Sequence, residues 1–260
     1  MNSLRLLLTE GKLAEALSQL TEQVRNKPAD LAARGQLIEL LCLDGQLERA
    51  DQQLNLLVQQ HPETLTGAWK LRLLIRAQQA RLDFHAGADS AELFNPAGDD
   101  VAALLALNLA RRDGDSACVS DAAATLETQR SGTSCQVNQR PITELRDIDD
   151  TLGSFVELFG TDGKFYLARI NELVELTLKP ATSLVERIWR PVSVIIKNGP
   201  EGDAFLPLTY VDSSSDAEKL GRETDWQQLA PQVFRGRGLK TWLVDDEALP
   251  LAQLEALVAA

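Results

Sequence analysis

The sequence predicts an α+β fold in which all-α helical repeats precede a smaller mixed α/β part with β-hairpins. Three observations support this prediction: an offset of 34 residues recurs through the first half, turn formers interrupt the helical pattern near residue 130, and short apolar runs flank glycine-containing turns beyond it. We place the helical repeats at residues 1–128 and the mixed α/β part at residues 141–260. A chain of 260 residues is long enough for two such parts.

The repeat is clearest where residues 11–17 align with residues 45–51, and the register continues without a gap to Pro28 and Pro62. Glycine permits the turn between two antiparallel helices, alanine allows their close approach, and proline ends the second helix. This pattern resembles the tetratricopeptide repeat, with aliphatic residues in place of the usual aromatic ones. An antiparallel helical bundle with coincidental spacing is the alternative.

Two further copies of the repeat are weaker. The third begins at Gln79 and ends at Pro96, and the fourth begins one residue late, at Gly114. Such units cannot bury their apolar faces alone, so stacking is expected to make one continuous core.

The second half contains short apolar runs separated by turn formers. They predict one hairpin at residues 155–159 with 164–170 and a second at residues 191–197 with 203–210. A late strand is predicted at residues 239–244 and a closing helix at residues 251–258. The linking segment, residues 129–141, has no helical stripe and is predicted to be a boundary or an exposed loop.

The net charge of the chain makes some classes of partner unfavourable. The formal net charge of −12 disfavours nucleic acid and anionic membranes. The one basic run, residues 235–240, is interpreted as a solvated loop that enters a strand.

The chain is expected to act in the cytoplasm. The leucine-rich N-terminus is predicted to be a short helix rather than a signal peptide, and no segment has the length of uncharged apolar sequence that spans a bilayer. Cys42, Cys118 and Cys135 are widely spaced and indicate neither a disulfide framework nor a metal site.

No catalytic or cofactor-binding constellation is recognisable, so we expect a protein without enzymatic activity. Asp147, Asp149 and Asp150 could together bind a divalent cation. The alternative, which we favour, is that Asp149 or Asp150 caps a short helix and Arg146 pairs with a neighbouring carboxylate.

The two histidines are not better candidates for a metal site or a catalytic site. His61 and His85 are expected at helix ends, with no metal-ligand or triad spacing around them.

Large aromatic side chains beside arginines suggest anchors of a protein–protein interface. They are equally typical of a protein core that holds one ion pair. In that case Asp225 would pair with Arg222 or Arg190. The candidate partner-binding residues are therefore Arg146, Asp147, Asp149, Asp150, Trp189, Arg190, Tyr210, Arg222, Asp225 and Trp226.

Five segments of the second half resemble the ImpE/SciE family, also called TagJ, of type VI secretion system accessory proteins. They are residues 146–153, 161–166, 188–192, 205–210 and 220–226. The resemblance implies a non-enzymatic accessory protein that binds the small subunit of the contractile sheath, with an effect on sheath assembly or on its recycling by a Clp-type unfoldase.

The helical repeats and the resemblance together suggest that a helix of the sheath subunit docks in the concave groove of the repeats. A surface around Trp189, Arg190, Tyr210 and Trp226 is the alternative docking site. Two rival functions remain: a generic scaffold or chaperone for another cytoplasmic partner, and a metal-dependent hydrolase.

Overall fold

The computed structural model describes residues 2–260, with side chains from Leu4 onward. Its helices are Asn2–Thr9 (α1), Leu13–Asn26 (α2), Leu31–Asp44 (α3), Leu47–Gln60 (α4), Leu65–His85 (α5), Asp99–Asp113 (α6), Ser116–Thr128 (α7) and Asp216–Lys219 (α8). The helical first half and the mixed α/β second half are as predicted. No described helix has the length and apolar character needed to cross a membrane.

The helices α1 to α4 form the expected antiparallel pairs. Gly11 and Gly45 lie at the turns with φ of 78° and 82°, a conformation that glycine adopts without steric cost. Pro28 and Pro62 follow the ends of α2 and α4.

The third repeat differs from the prediction, because α5 runs without a break through Gln79. No glycine lies between Gly67 and Gly87, so the helix has no turn former at the expected position. The fourth copy is present as α6 and α7, with Gly114 at the turn between them.

The strands of the second half form three sheets. The strand β1, from the segment after α5, adds to the edge of the largest sheet. The strands are Glu92–Leu93 (β1), Cys135–Val137 (β2), Arg140–Ile142 (β3), Leu145–Asp147 (β4), Phe155–Gly160 (β5), Phe165–Arg169 (β6), Leu173–Leu178 (β7), Trp189–Ile196 (β8), Glu201–Pro207 (β9), Thr224–Ala230 (β10), Val233–Gly238 (β11), Thr241–Val244 (β12), Glu247–Pro250 (β13) and Ala256–Ala259 (β14). The large sheet has the order β1-β6-β5-β9-β8-β7-β14-β2-β3, and the smaller ones are β10-β11 and β13-β12-β4.

Both predicted hairpins are confirmed, as β5 with β6 and β8 with β9. The predicted closing helix is wrong. Residues 251–253 form one 3-10 turn, and β14 then inserts between β7 and β2, antiparallel to both. In this central position the backbone groups on both edges of β14 form hydrogen bonds with neighbouring strands. This pairing decides the conformation, although the leucines have helical spacing.

The short helix expected after Asp149 or Asp150 is also absent, since residues 150–154 form a turn. Thr151 donates its N–H to Asp149 Oδ1 at 2.7 Å, so the aspartate stabilises a turn rather than a helix end.

One face of the large sheet packs directly on the helices. Phe155, Phe159 and Phe165 share a single apolar core with the helical half, and the rings of Phe84 and Phe165 lie 5.6 Å apart. The opposite face encloses a second apolar core that β12 covers with Trp242.

The second half of the chain also contacts α3 of the repeats. Glu39 on α3 accepts the N–H of Val185 at 3.0 Å, and Asp44 at the end of the same helix pairs with Lys219 of α8 at 2.9 Å. The part of α3 that bears Glu39 and Asp44 is therefore occupied by the chain's own second half and is not free for a partner helix.

Candidate functional site

A buried cluster of charges joins α5 to the sheet. Arg81 donates from Nε and Nη2 to the two carboxylate oxygens of Glu157 at 2.8 and 2.7 Å. His85 Nε2 lies 2.7 Å from Glu157 Oε1, and Lys240 Nζ pairs with Oε2. All four side chains are buried, so this carboxylate joins three elements that are distant in sequence.

The cluster keeps a defined charge state. Burial lowers the pKa of His85 to about 4, more than the neighbouring Glu157 raises it, so the ring is neutral at pH 7. Burial alone would raise the pKa of Glu157, but Arg81, Lys240 and His85 hold it well below its usual range. The carboxylate therefore stays ionised, and its role is to compensate two buried cations.

His85 does lie at the end of a helix, as expected, but its contact with Glu157 was not foreseen. The four-residue spacing of Arg81 and His85 puts both side chains on one face of α5, and this spacing could have indicated that they share a partner.

The acidic turn after β4 forms a second buried network. Tyr210 donates its hydroxyl to Asp147 Oδ1 at 2.6 Å, and Gly236 donates its N–H to Asp149 Oδ2 at 2.9 Å. Burial raises the pKa of Asp147 to about 7 and also raises the pKa of Asp149. The turn thereby fixes the strand β11 on one side and the β9–α8 connection on the other.

Asp150 completes this attachment at the surface. It accepts the N–H of Phe234 at 2.8 Å on Oδ2 and a guanidinium N–H of Arg146 at 2.5 Å on Oδ1. The expected pairing of Arg146 with a neighbouring carboxylate is thus present. Each of the three aspartates binds different donors of the chain, and the described residues contain no group of three or more His, Cys, Asp or Glu side chains that could hold a metal.

The basic run at residues 235–240 is not a solvated loop. Arg235 is buried and pairs with Asp212 at 2.9 Å, and Lys240 is buried against Glu157. Gly236 lies against the ring of Tyr210, where an added Cβ would come within 2.3 Å of Cε2. Much of the run therefore serves internal packing, because Arg235 and Lys240 face carboxylates and Gly236 faces a ring.

A surface hollow of 520 Å³ lies above this network. It is lined by the apolar side chains of Ile148, Trp226, Phe234 and Leu243, with the Arg146–Asp150 pair at its rim. Phe234 remains 40% exposed. Of the predicted partner-binding residues, the structure thus brings together Arg146, Asp150 and Trp226 at one exposed surface.

The other candidates are buried or lie elsewhere, although the buried ring of Tyr210 lies 5.9 Å from that of Trp226. Trp189 and Tyr210 are buried, Trp189 against Phe159 with 5.9 Å between the rings. Arg190 donates to the carbonyl of Glu186, and Arg222 donates to the carbonyl of Thr9. Neither arginine pairs with Asp225, which is exposed, so the anticipated ion pair is absent.

Comparison with known proteins agrees with this architecture. A family model described as ImpE protein matches residues 139–258, and a tetratricopeptide repeat model matches residues 7–75. The crystal structure of protein VPA1032 from Vibrio parahaemolyticus is similar over 99% of this chain and 97% of its own, with 42% identity and a TM-score of 0.96.

A curated relative extends the similarity to a protein with a described role. The type VI secretion system accessory component TagJ of Pseudomonas aeruginosa is 28% identical in an alignment over 228 residues that covers 85% of this chain and 79% of the relative. With its repeats and its second half both matched, the chain belongs to the ImpE family.

Proposed function

We propose that this protein is a non-enzymatic accessory factor of a bacterial type VI secretion system, acts in the cytoplasm, and binds the small subunit of the contractile sheath. The observation that carries the proposal is the similarity to the accessory component TagJ over most of both chains. An effect on sheath assembly, or on recycling by a Clp-type unfoldase, would follow from holding that subunit.

The hollow is the surface that best fits this role. The second half of the chain already contacts α3 and α5, whereas Trp226 and Phe234 offer large rings beside an arginine, the combination typical of interface anchors. A segment of the sheath subunit would place apolar side chains against these rings, next to the Arg146–Asp150 pair.

The test titrates the full-length chain separately with purified small and large sheath subunits of the same system, by isothermal calorimetry. Saturable binding of the small subunit, and weaker or no binding of the large one, is the expected result. If neither subunit binds the folded chain, the sheath proposal is wrong, and a scaffold for another partner becomes the better account.

A further inference from the structure

The strand β10 has a free edge, and the hydrogen bonds of its partner strand show which backbone groups lie along it. On β11, Phe234 donates its N–H to Asp150 Oδ2 at 2.8 Å and accepts the N–H of Asp150 at 3.0 Å. Both bonds point away from β10. In an antiparallel pair, the residue opposite such a position also directs its backbone groups outward. Gln228 lies opposite Phe234, so its N–H and C=O face away from β11.

Every second residue of β10 directs its backbone groups outward in the same way. Gly236 donates to Asp149 and lies opposite Trp226, and Gly238 bonds to Ser213 and Tyr210 and lies opposite Thr224. Thr224, Trp226 and Gln228 therefore present three N–H and three C=O groups on the outer edge of β10. Within residues 2–260, β11 is the only strand that pairs with β10.

This edge differs in length and composition from the other edges of the fold, although helix α7 packs against part of the same strand. The terminal strands β1, β3, β4 and β13 have only two to four residues, and β3 and β13 contain Pro141 and Pro250. The strand β10 has seven residues, no proline and no lysine, and its only irregularity is a bulge beyond Gln228. Long, unprotected edges are templates for another strand.

The surroundings indicate what kind of segment fits. Trp226, whose backbone lies on the free edge, also lines the hollow, so a neighbouring strand could place an apolar side chain beside it. Glu223 and Asp225 are exposed next to the edge, and the chain carries a net charge of −12. A segment with basic residues would complement this charge.

We propose that β10 binds its partner by strand addition: an extended, basic segment of the sheath subunit pairs with Thr224, Trp226 and Gln228 and places an apolar side chain at the hollow. The identity of the partner rests on the function proposed above. The added strand is distinct from a docked helix, because it uses backbone groups of alternate residues only.

Amide hydrogen exchange of the full-length chain, read by NMR with and without the purified small subunit, tests this directly. Exchange at Thr224, Trp226 and Gln228 should slow on binding, while Asp225 and Gln227, whose amides face β11, should already be slow in the free chain. Binding without that alternating protection would overturn strand addition and leave the sheath function standing. Absence of binding would overturn both, and protection that grows with concentration in the free chain would assign the edge to a second copy instead.

A matched pair of variants gives an independent readout. Gln228→Pro removes one outward N–H at a position where proline is compatible with an edge strand, whereas Gln228→Ala keeps it. We expect Gln228→Pro to weaken binding about tenfold and Gln228→Ala to bind as the parent does. Equal affinity of the two variants, both folded by circular dichroism, would contradict the proposal.

Discussion

Arg81 and Glu157 are 76 residues apart in the sequence and form a doubly hydrogen-bonded ion pair between a repeat helix and the sheet. The pair lies within the interface through which the two halves of the chain share one core. It therefore couples the helical repeats to the β-rich part electrostatically as well as by packing.

Replacing Glu157 by glutamine leaves Arg81 and Lys240 buried without a compensating charge. Loss of one partner from a buried pair costs about 3 to 5 kcal/mol, so Glu157→Gln should lower the free energy of unfolding in urea by that amount. Glu201→Gln is the control, because Glu201 is exposed. Equal stability of the two variants would show that the buried cations do not need the carboxylate.

The raised pKa of Asp147 makes stability depend on pH. Its folded value of about 7 lies above the unfolded value of 3.8, so between these values the folded state binds more protons. Stability from this group is therefore greatest at low pH and is lost as pH rises toward 7, with a slope of at most about 1.4 kcal/mol per pH unit.

Asp147→Asn removes that titration and keeps an oxygen that can accept from Tyr210. The difference in unfolding free energy between parent and variant, followed from pH 4 to pH 8, should fall toward pH 7 and level off above it. A difference that does not change with pH would mean that Asp147 titrates normally.

Gly236 lies against Tyr210, and an added methyl group has no room there. Gly236→Ala should displace the ring, weaken its hydrogen bond to Asp147, and cost about 1 to 3 kcal/mol. Gly202→Ala is the matched control in β9, because nothing lies within 4 Å of its added Cβ. Thermal unfolding of the two variants checks this, and similar melting temperatures would contradict the close approach.

Separate expression of residues 1–128 and 141–260 tests how far the two parts depend on each other. Each piece would expose the apolar surface that now forms the shared core, including Phe84 on one side and Phe165 on the other. We expect both pieces to aggregate or to lack dispersed NMR spectra. Two well-dispersed, monomeric pieces would show that the halves are independent domains.

Local sequence pattern predicted much of this fold. Glycine turns and a 34-residue offset located the first helix pairs, and apolar runs around Gly160–Gly163 and Asn198–Gly202 located both hairpins. The strand β14 was missed because its leucines have helical spacing, and only pairing with β7 and β2 decides its conformation. The unbroken length of α5, in contrast, follows from the local sequence, which has no glycine between Gly67 and Gly87.

The site was predicted less well, for a physical reason. Arg146, Asp150 and Trp226 meet at the hollow, but burial of Trp189, Tyr210, Asp147 and Asp149 follows from long-range packing that no local pattern records. Lys240 looked like a surface cation because its partner, Glu157, lies 83 residues away.

The most direct test of the account compares the affinity of the small sheath subunit for the full-length chain and for Phe234→Ser and Leu56→Ser. Both substitutions remove apolar side chains of similar exposure, 40% and 41%, but only Phe234 lines the hollow. The account predicts at least about tenfold weaker binding for Phe234→Ser and unchanged binding for Leu56→Ser, with both variants folded. Unchanged binding of Phe234→Ser would contradict docking at the hollow.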